Sequence, residues 1–428
     1  MNIAFLCYPY HRGGVTRWMA DMAIETRRQG GKAWFVAPEP RSPFVNGSGR
    51  PTMVELFSKL PPNERPTIIA PNVGPAFEFG TAAYRSSVYA AALQSGVPAD
   101  VPMIVSNDPD TWAAAAYLSP RNPMIAVLHG NHIINDQLVL RYGRATAAIA
   151  CVSARVNRRT DALGRPGSAP LVTIPCGIPL CPMPSRAGGS SQPLRLAWVG
   201  RMDEAEKRVS DLPKIAAHLR DAGVTFTFDL MGDGPARESL AKDFDALALG
   251  DRVRLHPWSS TNDVLALLAQ ADLLLMSSNS EGMSITVMEA LSMGCGVVSS
   301  RVSGVEDYES HPAASSCLWI YDIGDVLGAV ERIRAAARVP SSTRAGAARA
   351  LAESEFSIGV CAQRYAQLLA RLTPTDSVGH VAVDATRTLT ALASLSVAAQ
   401  RIARLYVAGR RGRSRSTPPA SASVSQVA

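Results

Sequence analysis

Residues 271–294, ADLLLMSSNSEGMSITVMEALSMG, decide the fold of this chain. The apolar run 271–276 predicts a short buried strand, and 286–293 predicts a helix that ends at Gly294. Glu281 then follows the strand end, and Glu289 lies about two turns further on, on the helix. In an open α/β sheet, ligands bind at the carboxyl ends of the strands. Two carboxylates there suit a polyhydroxylated ligand, because ionised carboxylates accept the hydrogen bonds that hydroxyl groups donate.

Two arrays of strands and helices surround this stretch. Short strands that alternate with helical stretches predict parallel sheets covered on both faces. The first array is predicted from strands at 2–7, 33–37, 103–106, 125–128, 147–152 and 172–174. The second array is predicted from strands at 194–199, 226–231, 253–255, 273–276 and 297–299.

A length of 428 residues favours two domains, because one hydrophobic core rarely supports so long a chain. A segment rich in proline and glycine separates the arrays and is typical of a linker. The fold class is therefore α/β, with two Rossmann-like parallel-sheet domains facing a central cleft. The predicted parts are a first domain at 1–180, a linker at 181–193, a second domain at 194–355, a closing helix at 356–372 and a tail at 373–428.

The composition is that of a globular protein, with 47% hydrophobic and 18% charged residues. No apolar run approaches the roughly 20 residues of a membrane span. The start of the chain has the pattern of a strand and lacks that of a signal peptide, so we expect a cytoplasmic protein. The seven cysteines are scattered, which favours buried thiols in a reducing compartment over disulfides or a metal site.

The positive charge is concentrated in the tail. Residues 373–428 contain seven arginines and two aspartates, so they carry +5 of the formal +7, and the folded body gives no reason to expect nucleic-acid binding. An apolar stripe at helical spacing precedes the basic run 410–415. This pattern predicts that 385–415 can dock on an anionic membrane. A helix packed on the body, followed by a solvated and partly disordered tail, is the alternative.

Two cations follow the first strand of the second array. Arg201 comes directly after Gly200, and Lys207 precedes a helix predicted to start near Ser210. Cations beside a helix N-terminus form an anion site, and a nucleotide diphosphate is the natural anion there. The alternative is a pair of solvated surface cations. Gly13-Gly14 and Gly232-Asp233-Gly234-Pro235 also follow strands, where they allow a ligand to approach the backbone or simply form tight turns.

Two further motifs follow strands of the first array. His129 comes after the strand at 125–128, where it could bind a sugar hydroxyl or assist proton transfer; a structural histidine is the alternative. The run Asn107-Asp108-Pro109-Asp110 could hold a cation, but a turn that caps the helix before Thr111 is the interpretation we favour.

Together these motifs resemble the retaining nucleotide-sugar glycosyltransferases of glycosyltransferase family 4, which have the GT-B fold. The resemblance covers roughly residues 1–372. It rests on the glycine pair, on the cation pair, on the glycine loop at 232–235 and above all on Glu281 with Glu289. The stretch Ile174-Pro175-Cys176-Gly177-Ile178 before the linker adds to it.

The resemblance implies a role for each of these residues. Arg201 and Lys207 would hold the donor diphosphate and stabilise the leaving group. Glu289 would bind the ribose. The donor sugar would be held by Glu281 with the backbone N–H groups of Gly282, Met283 and Ser284. The pair Gly13 and Gly14 would approach the phosphate, and His129 would contact the donor sugar or the acceptor.

The family also implies a reaction. A sugar would move from a nucleotide-diphosphate donor to a saccharide or lipid-linked acceptor in surface polysaccharide or glycolipid synthesis, with retention, no cofactor and no metal. Retention without an enzyme nucleophile suggests front-face attack. The alternatives are a nucleotide-sugar epimerase, a phosphorylase, for which no pyridoxal site is evident, and a catalytically silent sugar-nucleotide-binding subunit.

Four positions depart from the family pattern. Thr16 replaces an acidic residue, Cys176 replaces asparagine, Gly296 replaces proline, and Met283-Ser284 replaces an aromatic–glycine pair. None of them removes a charged donor ligand. The change at Met283 touches the predicted sugar contacts, so the donor sugar is left open.

Overall fold

The structure is a computed structural model that describes residues 1–7, 13–37, 39–40, 53–73, 77, 80–183 and 193–372. The predicted membrane-docking segment 385–415 and the rest of the tail lie outside the described residues, as do residues 184–192 of the predicted linker. The predicted domain boundaries therefore stay predictions.

The first sheet has seven parallel strands in the order β4-β2-β1-β6-β7-β8-β9. A separate pair, β3 and β5, lies beside it. The strands are β1 Asn2–Leu6, β2 Lys32–Val36, β3 Glu39–Pro40, β4 Thr67–Ile69, β5 Asn72–Val73, β6 Met103–Val105, β7 Met124–Leu128, β8 Thr146–Cys151 and β9 Leu171–Thr173. The six predicted strands are all present, because apolar runs buried on both faces are easily recognised.

The second sheet has six parallel strands in the order β12-β11-β10-β13-β14-β15. Its strands are β10 Leu194–Val199, β11 Phe226–Met231, β12 Val253–His256, β13 Leu273–Met276, β14 Gly296–Ser300 and β15 Leu318–Tyr321. The first five agree with the predicted strands, whereas β15 was not predicted. Two parallel sheets with helical connections confirm the predicted fold class.

Helices connect the strands within each half. They are α1 Gly14–Arg28, α2 Met53–Ser58, α3 Ala82–Gly96, α4 Pro109–Leu118, α5 Ile133–Tyr142, α6 Ala154–Ala162, α7 Glu204–Lys207, α8 Asp211–Asp221, α9 Arg237–Ala246, α10 Thr261–Gln270, α11 Ile285–Ser292, α12 Val326–Arg338, α13 Ser341–Leu351 and α14 Ile358–Arg371. The apolar faces of these helices pack on the sheets, as in other α/β proteins. Six of the seven cysteines are buried, as predicted.

The helix α14 returns from the second half to the first. The backbone N–H of Ile178 donates to Phe356 at 2.8 Å, and that of Ile358 donates to Ile178 at 2.8 Å. Beyond this pairing, Tyr365 packs against Trp18 of α1, with ring centroids 5.8 Å apart. The last helix therefore completes the core of the first half.

Each sheet has a point where the strand order reverses. In the first sheet β1 lies between β2 and β6, and in the second β10 lies between β11 and β13. Ligands bind outside the carboxyl ends of the strands at such points. The chain that follows β1 leads to Gly14, and β10 is followed directly by Gly200 and Arg201, so these motifs lie near the two reversal points.

Within the described ranges, the structure contains no helix that is both long enough and apolar enough to span a membrane.

Candidate active site

Lys207 and Glu281 meet where β10 and β13 end. The Lys207 Nζ lies 2.5 Å from the Glu281 Oε1, and the Ser278 hydroxyl donates to the same oxygen at 2.8 Å. Both charged side chains are largely buried, with 22% and 11% of their surfaces exposed. A largely buried, hydrogen-bonded ion pair has a fixed geometry, so the two groups are oriented before any ligand arrives.

The loop after β13 positions this pair. The Asn279 backbone N–H donates to the Glu206 carbonyl at 2.7 Å, and the Ser277 hydroxyl donates to the Lys207 carbonyl at 2.8 Å. Arg208, directly after α7, adopts a left-handed conformation with φ 45°. That conformation is uncommon for a residue with a side chain and is found where surrounding contacts enforce it. The short helix α7 is thus attached to the loop that carries Glu281.

Arg201 lies next to this pair but does not contact it in the described structure. Its guanidinium group binds Asp203 at 2.8 Å and Glu206 at 2.9 Å. Its side chain remains 62% exposed. Ion pairs between exposed groups such as Arg201 and Glu206 are weak, so an incoming anion can replace Glu206 at little cost.

Glu289 lies on α11, whose first turn is capped by the Ser284 hydroxyl. Its carboxylate is buried, and its Oε1 lies 2.6 Å from the Nη1 of Arg17 on α1. Burial raises the pKa of Glu289, and the positive charge of Arg17 opposes this rise. The carboxylate predicted to bind ribose therefore depends on a cation from the other half of the chain.

Asp21 lies one turn further along α1, with its Oδ2 3.7 Å from the Nε of Arg17. Burial raises the pKa of Asp21 to about 7, while Arg17 opposes the shift and Glu289 adds to it. Two carboxyl groups thus share one guanidinium group between the halves. Near neutral pH the protonation state of Asp21 therefore determines how much negative charge α1 itself places beside Arg17.

The two halves of the chain are in close contact at two glycine residues. A Cβ atom on Gly282 would lie 1.7 Å from the His129 carbonyl oxygen, so only glycine fits there. A Cβ atom on Gly14 would lie 3.1 Å from the Cγ1 of Ile285, the first residue of α11. These contacts place the start of α1 opposite the start of α11, and the end of β7 opposite the loop that carries Glu281.

The second glycine loop lies beside Arg201. A Cβ atom on Gly232 would lie 1.9 Å from the Gly200 carbonyl oxygen, so the two backbones are in close contact. The Asp233 carboxylate accepts from the Trp258 backbone N–H at 2.8 Å. The loop at 232–235 is thus adjacent to the predicted diphosphate cations.

His129 follows β7 and is neutral. Burial lowers its pKa to about 3. Its Nδ1 lies 3.5 Å from the Cys176 Sγ, and its ring meets Trp18 edge-on at 4.9 Å. Its Nε2 is buried and contacts no hydrogen-bond partner in the described structure. A buried imidazole with so low a pKa is not suited to proton transfer at neutral pH.

Comparison with known proteins agrees with this geometry. Residues 193–335 match the family described as "Glycosyl transferases group 1". The putative colanic acid biosynthesis glycosyltransferase WcaL of Escherichia coli K12 is 26% identical over 200 residues, 45% of this chain and 48% of WcaL. The alpha-D-kanosaminyltransferase of Streptomyces kanamyceticus is 30% identical over 148 residues, 35% of this chain and 38% of that enzyme. The chain thus aligns with about half or less of these relatives' lengths.

Over residues 193–335, well under half of its length, the chain is similar to group 1 glycosyl transferases. Solved structures confirm the predicted GT-B fold over nearly the whole described chain. Anabaena HepE, solved with UDP and glucose, superposes with a TM-score of 0.62 at 19% identity, covering 87% of this chain and 100% of HepE. TarM superposes with a TM-score of 0.68 at 11% identity, covering 86% of this chain and 98% of TarM.

Several of the predicted site residues come together in the structure. Lys207 contacts Glu281, and Gly282 contacts the strand end that carries His129. Arg201 instead faces its own acidic neighbours. Met283 lies against the loop at 304, and Ser284 caps α11 through its side chain.

Arg17 was missed by reasoning from the sequence. It lies three residues after Gly14, within the first turns of the helix that follows the glycine pair. That spacing was the available signal, because a side chain in the first turn of this helix can reach the same segment or ligand that the glycine pair contacts. Its partner is 272 positions away in the chain, so the contact itself was not visible in the sequence.

Proposed function

We propose that this chain is a retaining glycosyltransferase that moves a sugar from a nucleotide-diphosphate donor to a saccharide or lipid-linked acceptor. The observation that carries this proposal is the Lys207–Glu281 pair at the reversal point of the second sheet. Lysine is a phosphate-binding cation, and a carboxylate binds sugar hydroxyls. The pair therefore offers one group for each side of the sugar–phosphate bond.

The charges suggest how the donor lies. Lys207 and Arg201 would hold the two phosphates, with Arg201 exchanging Asp203 and Glu206 for phosphate oxygens. Glu289 would accept hydrogen bonds from the ribose. Glu281, with the backbone N–H groups at 282–284, would hold the donor sugar. The pair Gly13-Gly14 would let backbone approach the phosphates, as the glycine contact with α11 allows.

In the proposed reaction, the acceptor hydroxyl oxygen forms a bond to the anomeric carbon on the face from which the phosphate leaves. The sugar–phosphate bond breaks with its electron pair on the phosphate oxygen. The leaving phosphate takes the proton of the acceptor hydroxyl. Lys207 and Arg201 stabilise the negative charge that develops on the diphosphate, a role filled by metal ions in other transferases.

The names of related proteins support the proposed class of donor and the proposed class of product. HepE was solved with UDP and glucose, and a TarM variant with UDP. WcaL and the Erwinia amylovora protein AmsK are named for the synthesis of colanic acid and amylovoran. We extend these properties to this chain as a proposal: a nucleotide-sugar donor and a surface polysaccharide or glycolipid product, made at the cytoplasmic face of a membrane.

Transfer assays test the proposal. Full-length protein is incubated with radiolabelled UDP-glucose, GDP-mannose or ADP-glucose and with saccharide or lipid-linked acceptors, and the anomeric configuration of the product is read by NMR. We expect transfer with retention from one donor, lost in Glu289→Ala and kept in the matched variant Glu331→Ala, which changes an exposed glutamate of α12. Binding without turnover supports a silent subunit, and altered free nucleotide sugar supports an epimerase.

Membrane association is proposed separately for the tail. Removal of 373–428 is expected to abolish co-sedimentation with vesicles that contain anionic phosphatidylglycerol and to leave transfer to a water-soluble acceptor intact. Unchanged sedimentation of the shortened chain would contradict this part of the proposal.

A further inference from the structure

One turn beside the candidate active site has a strained backbone. Arg208, which directly follows Lys207, has a left-handed conformation with φ 45° and ψ 50°. Of the described residues other than glycine, only Asp100 and Ala248 share a positive φ. Glycine adopts such a conformation without strain, and strained residues persist only where the surrounding structure enforces them, most often at functional sites. The side chain of Arg208 should therefore supply something that glycine could not.

The guanidinium group of Arg208 joins three segments of the second half. Its Nε donates to the Asp211 Oδ2 at 2.8 Å, at the start of α8. Its Nη1 makes a longer hydrogen bond of 3.4 Å to the Asn279 Oδ1, in the loop after β13. A Cβ atom on Gly324, in the turn after β15, would lie 3.1 Å from its Nη2. Because the guanidinium fork is planar and donates in fixed directions, these contacts hold Arg208 in one orientation.

The loop after β13 is also attached to the backbone beside Lys207. The Asn279 Nδ2 donates to the Ala205 carbonyl at 3.0 Å, and the Ser277 hydroxyl donates to the Lys207 carbonyl at 2.8 Å. The Asn279 amide thus accepts from Arg208 on one side and donates to α7 on the other. Arg208 and this loop therefore hold the backbone on both sides of Lys207.

Lys207 needs such support because its side chain is flexible. Several rotatable bonds separate its ammonium group from the backbone, so the position of that group depends on how the backbone is held. The Lys207 Nζ lies 2.5 Å from the Glu281 Oε1. A change in the backbone at Arg208 would move the ammonium group relative to Glu281, and hence relative to the sugar–phosphate bond of the proposed donor.

Arg208 itself is poorly placed to bind the donor. It is paired with Asp211, whose side chain is only 5% exposed. A phosphate that displaced Asp211 would leave this nearly buried carboxylate with the exposed Lys214, 3.6 Å away, as its remaining cation in the described structure. Breaking a buried ion pair is costly, so Arg208 is better suited to hold the turn than to bind phosphate.

We propose that Arg208 is a positioning residue for the proposed transfer: its contacts with Asp211 and Asn279 hold the turn that directs the Lys207 ammonium group toward Glu281 and the leaving phosphate. The inference rests on the proposed function, because it takes Lys207 to stabilise that phosphate. Arg208 acts through Lys207, so its removal should lower turnover only while Lys207 is present.

Steady-state kinetics of a double-mutant cycle test this dependence. Arg208→Gly removes the guanidinium group and lets the backbone keep its left-handed conformation without strain, so we expect the variant to fold. It should lower kcat about tenfold, while the affinity for UDP, measured by calorimetry, stays within about twofold. In the Lys207→Met background, Arg208→Gly should lower kcat no further. Arg208→Lys, which can pair with Asp211 but lacks the fork that also reaches Asn279, should have an intermediate kcat.

The matched control is Ala248→Gly, because Ala248 also has a left-handed conformation, with φ 51°, at an exposed position after α9. It should leave kcat and the affinity for UDP unchanged. The lysine ammonium signals in ¹H–¹⁵N NMR spectra report the geometry without turnover. The Lys207 signal, assigned by its absence in Lys207→Met, should shift or disappear in Arg208→Gly and stay unchanged in Ala248→Gly.

Three results would each overturn the inference. Arg208→Gly could turn over like the parent chain, or it could lower kcat by the same factor with and without Lys207, which would show a general structural role. A fall in UDP affinity as large as the fall in kcat would show that Arg208 contacts the donor directly. If the parent chain transferred no sugar from any nucleotide donor, the proposed function would fail, and the NMR comparison would still decide whether Arg208 positions Lys207.

Discussion

The guanidinium group of Arg17 lies 2.6 Å from the carboxylate of Glu289, although the two residues belong to opposite halves of the chain. Glu289 is buried, and Arg17 is the described residue that offsets its loss of hydration. The negative charge of the proposed ribose-binding group is therefore stabilised by a residue of the other half of the chain. Donor binding and the approach of the two halves should be coupled through this contact.

Arg17→Met should weaken donor binding in a pH-dependent way. Without the cation, the already raised pKa of Glu289 rises further, so less of the carboxylate is ionised at pH 7. We expect a loss of about tenfold in affinity for UDP-glucose, equivalent to about 1.4 kcal/mol, with recovery as the pH increases. Calorimetric titrations between pH 6 and about pH 9 measure both effects.

The control for that experiment is Arg28→Met at the end of the same helix, where the arginine pairs with Glu64 on the surface. It should leave the affinity and its pH dependence unchanged. If Arg17→Met lowered the affinity for UDP-glucose by the same factor at every pH, Arg17 would contribute only packing.

Asp21→Asn should change how stability depends on pH. The folded-state pKa of Asp21 is raised to about 7 from an ordinary value near 3.8, so the folded state binds more protons than the unfolded state between these values. The free energy of unfolding of the parent chain should therefore fall as the pH rises from about 4 to about 7. The amide cannot ionise, so the variant should lose less stability over that range.

Urea unfolding at pH 5 and pH 8 measures the effect of Asp21→Asn. The difference in free energy of unfolding between variant and parent should shift in favour of the variant by about 2–3 kcal/mol between pH 5 and pH 8. Asp161→Asn, at an exposed position of the same half, is the control. Parallel pH dependences for the parent chain and Asp21→Asn would contradict the burial argument.

Lys207→Met should reduce turnover more than binding. The proposed role of Lys207 is to stabilise charge that develops on the leaving phosphate, and the loss of one such group typically lowers kcat by about 100-fold or more. Steady-state kinetics with the best donor separate kcat from KM. Lys214→Met, on the exposed side of the neighbouring helix α8, should retain full activity. A rise in KM with unchanged kcat would assign Lys207 to uniform donor binding instead.

Excess EDTA should leave transfer unchanged. In the proposed function Arg201 and Lys207 supply the positive charge that a divalent cation supplies in other transferases, so we expect no requirement for added metal. The measurement compares initial rates after dialysis against EDTA with rates after Mg²⁺ or Mn²⁺ is restored. Activity that disappears with the chelator and returns with either ion would overturn this expectation.

Patterns that are local in the chain allowed good predictions, and contacts between distant segments did not. The strand before Glu281 and the helix that carries Glu289 were predicted because apolar periodicity and a terminating glycine lie within a few residues. The opposing cation at Arg17 was not predicted, because only the folded sheets bring the first helix to α11. His129 was placed at a strand end by sequence, whereas its burial, and with it a pKa near 3, depends on Trp18 and other packing from elsewhere.

The return of α14 to the first half has a consequence for synthesis on the ribosome. Tyr365 and Leu368 belong to the core that also contains Trp18, so the first half to be translated cannot complete its interior until the end of the described chain has emerged. The second sheet, by contrast, is fully encoded between Leu194 and Tyr321. The order in which the halves mature should therefore be opposite to the order in which they are made, and pulse-proteolysis of stalled nascent chains would reveal it.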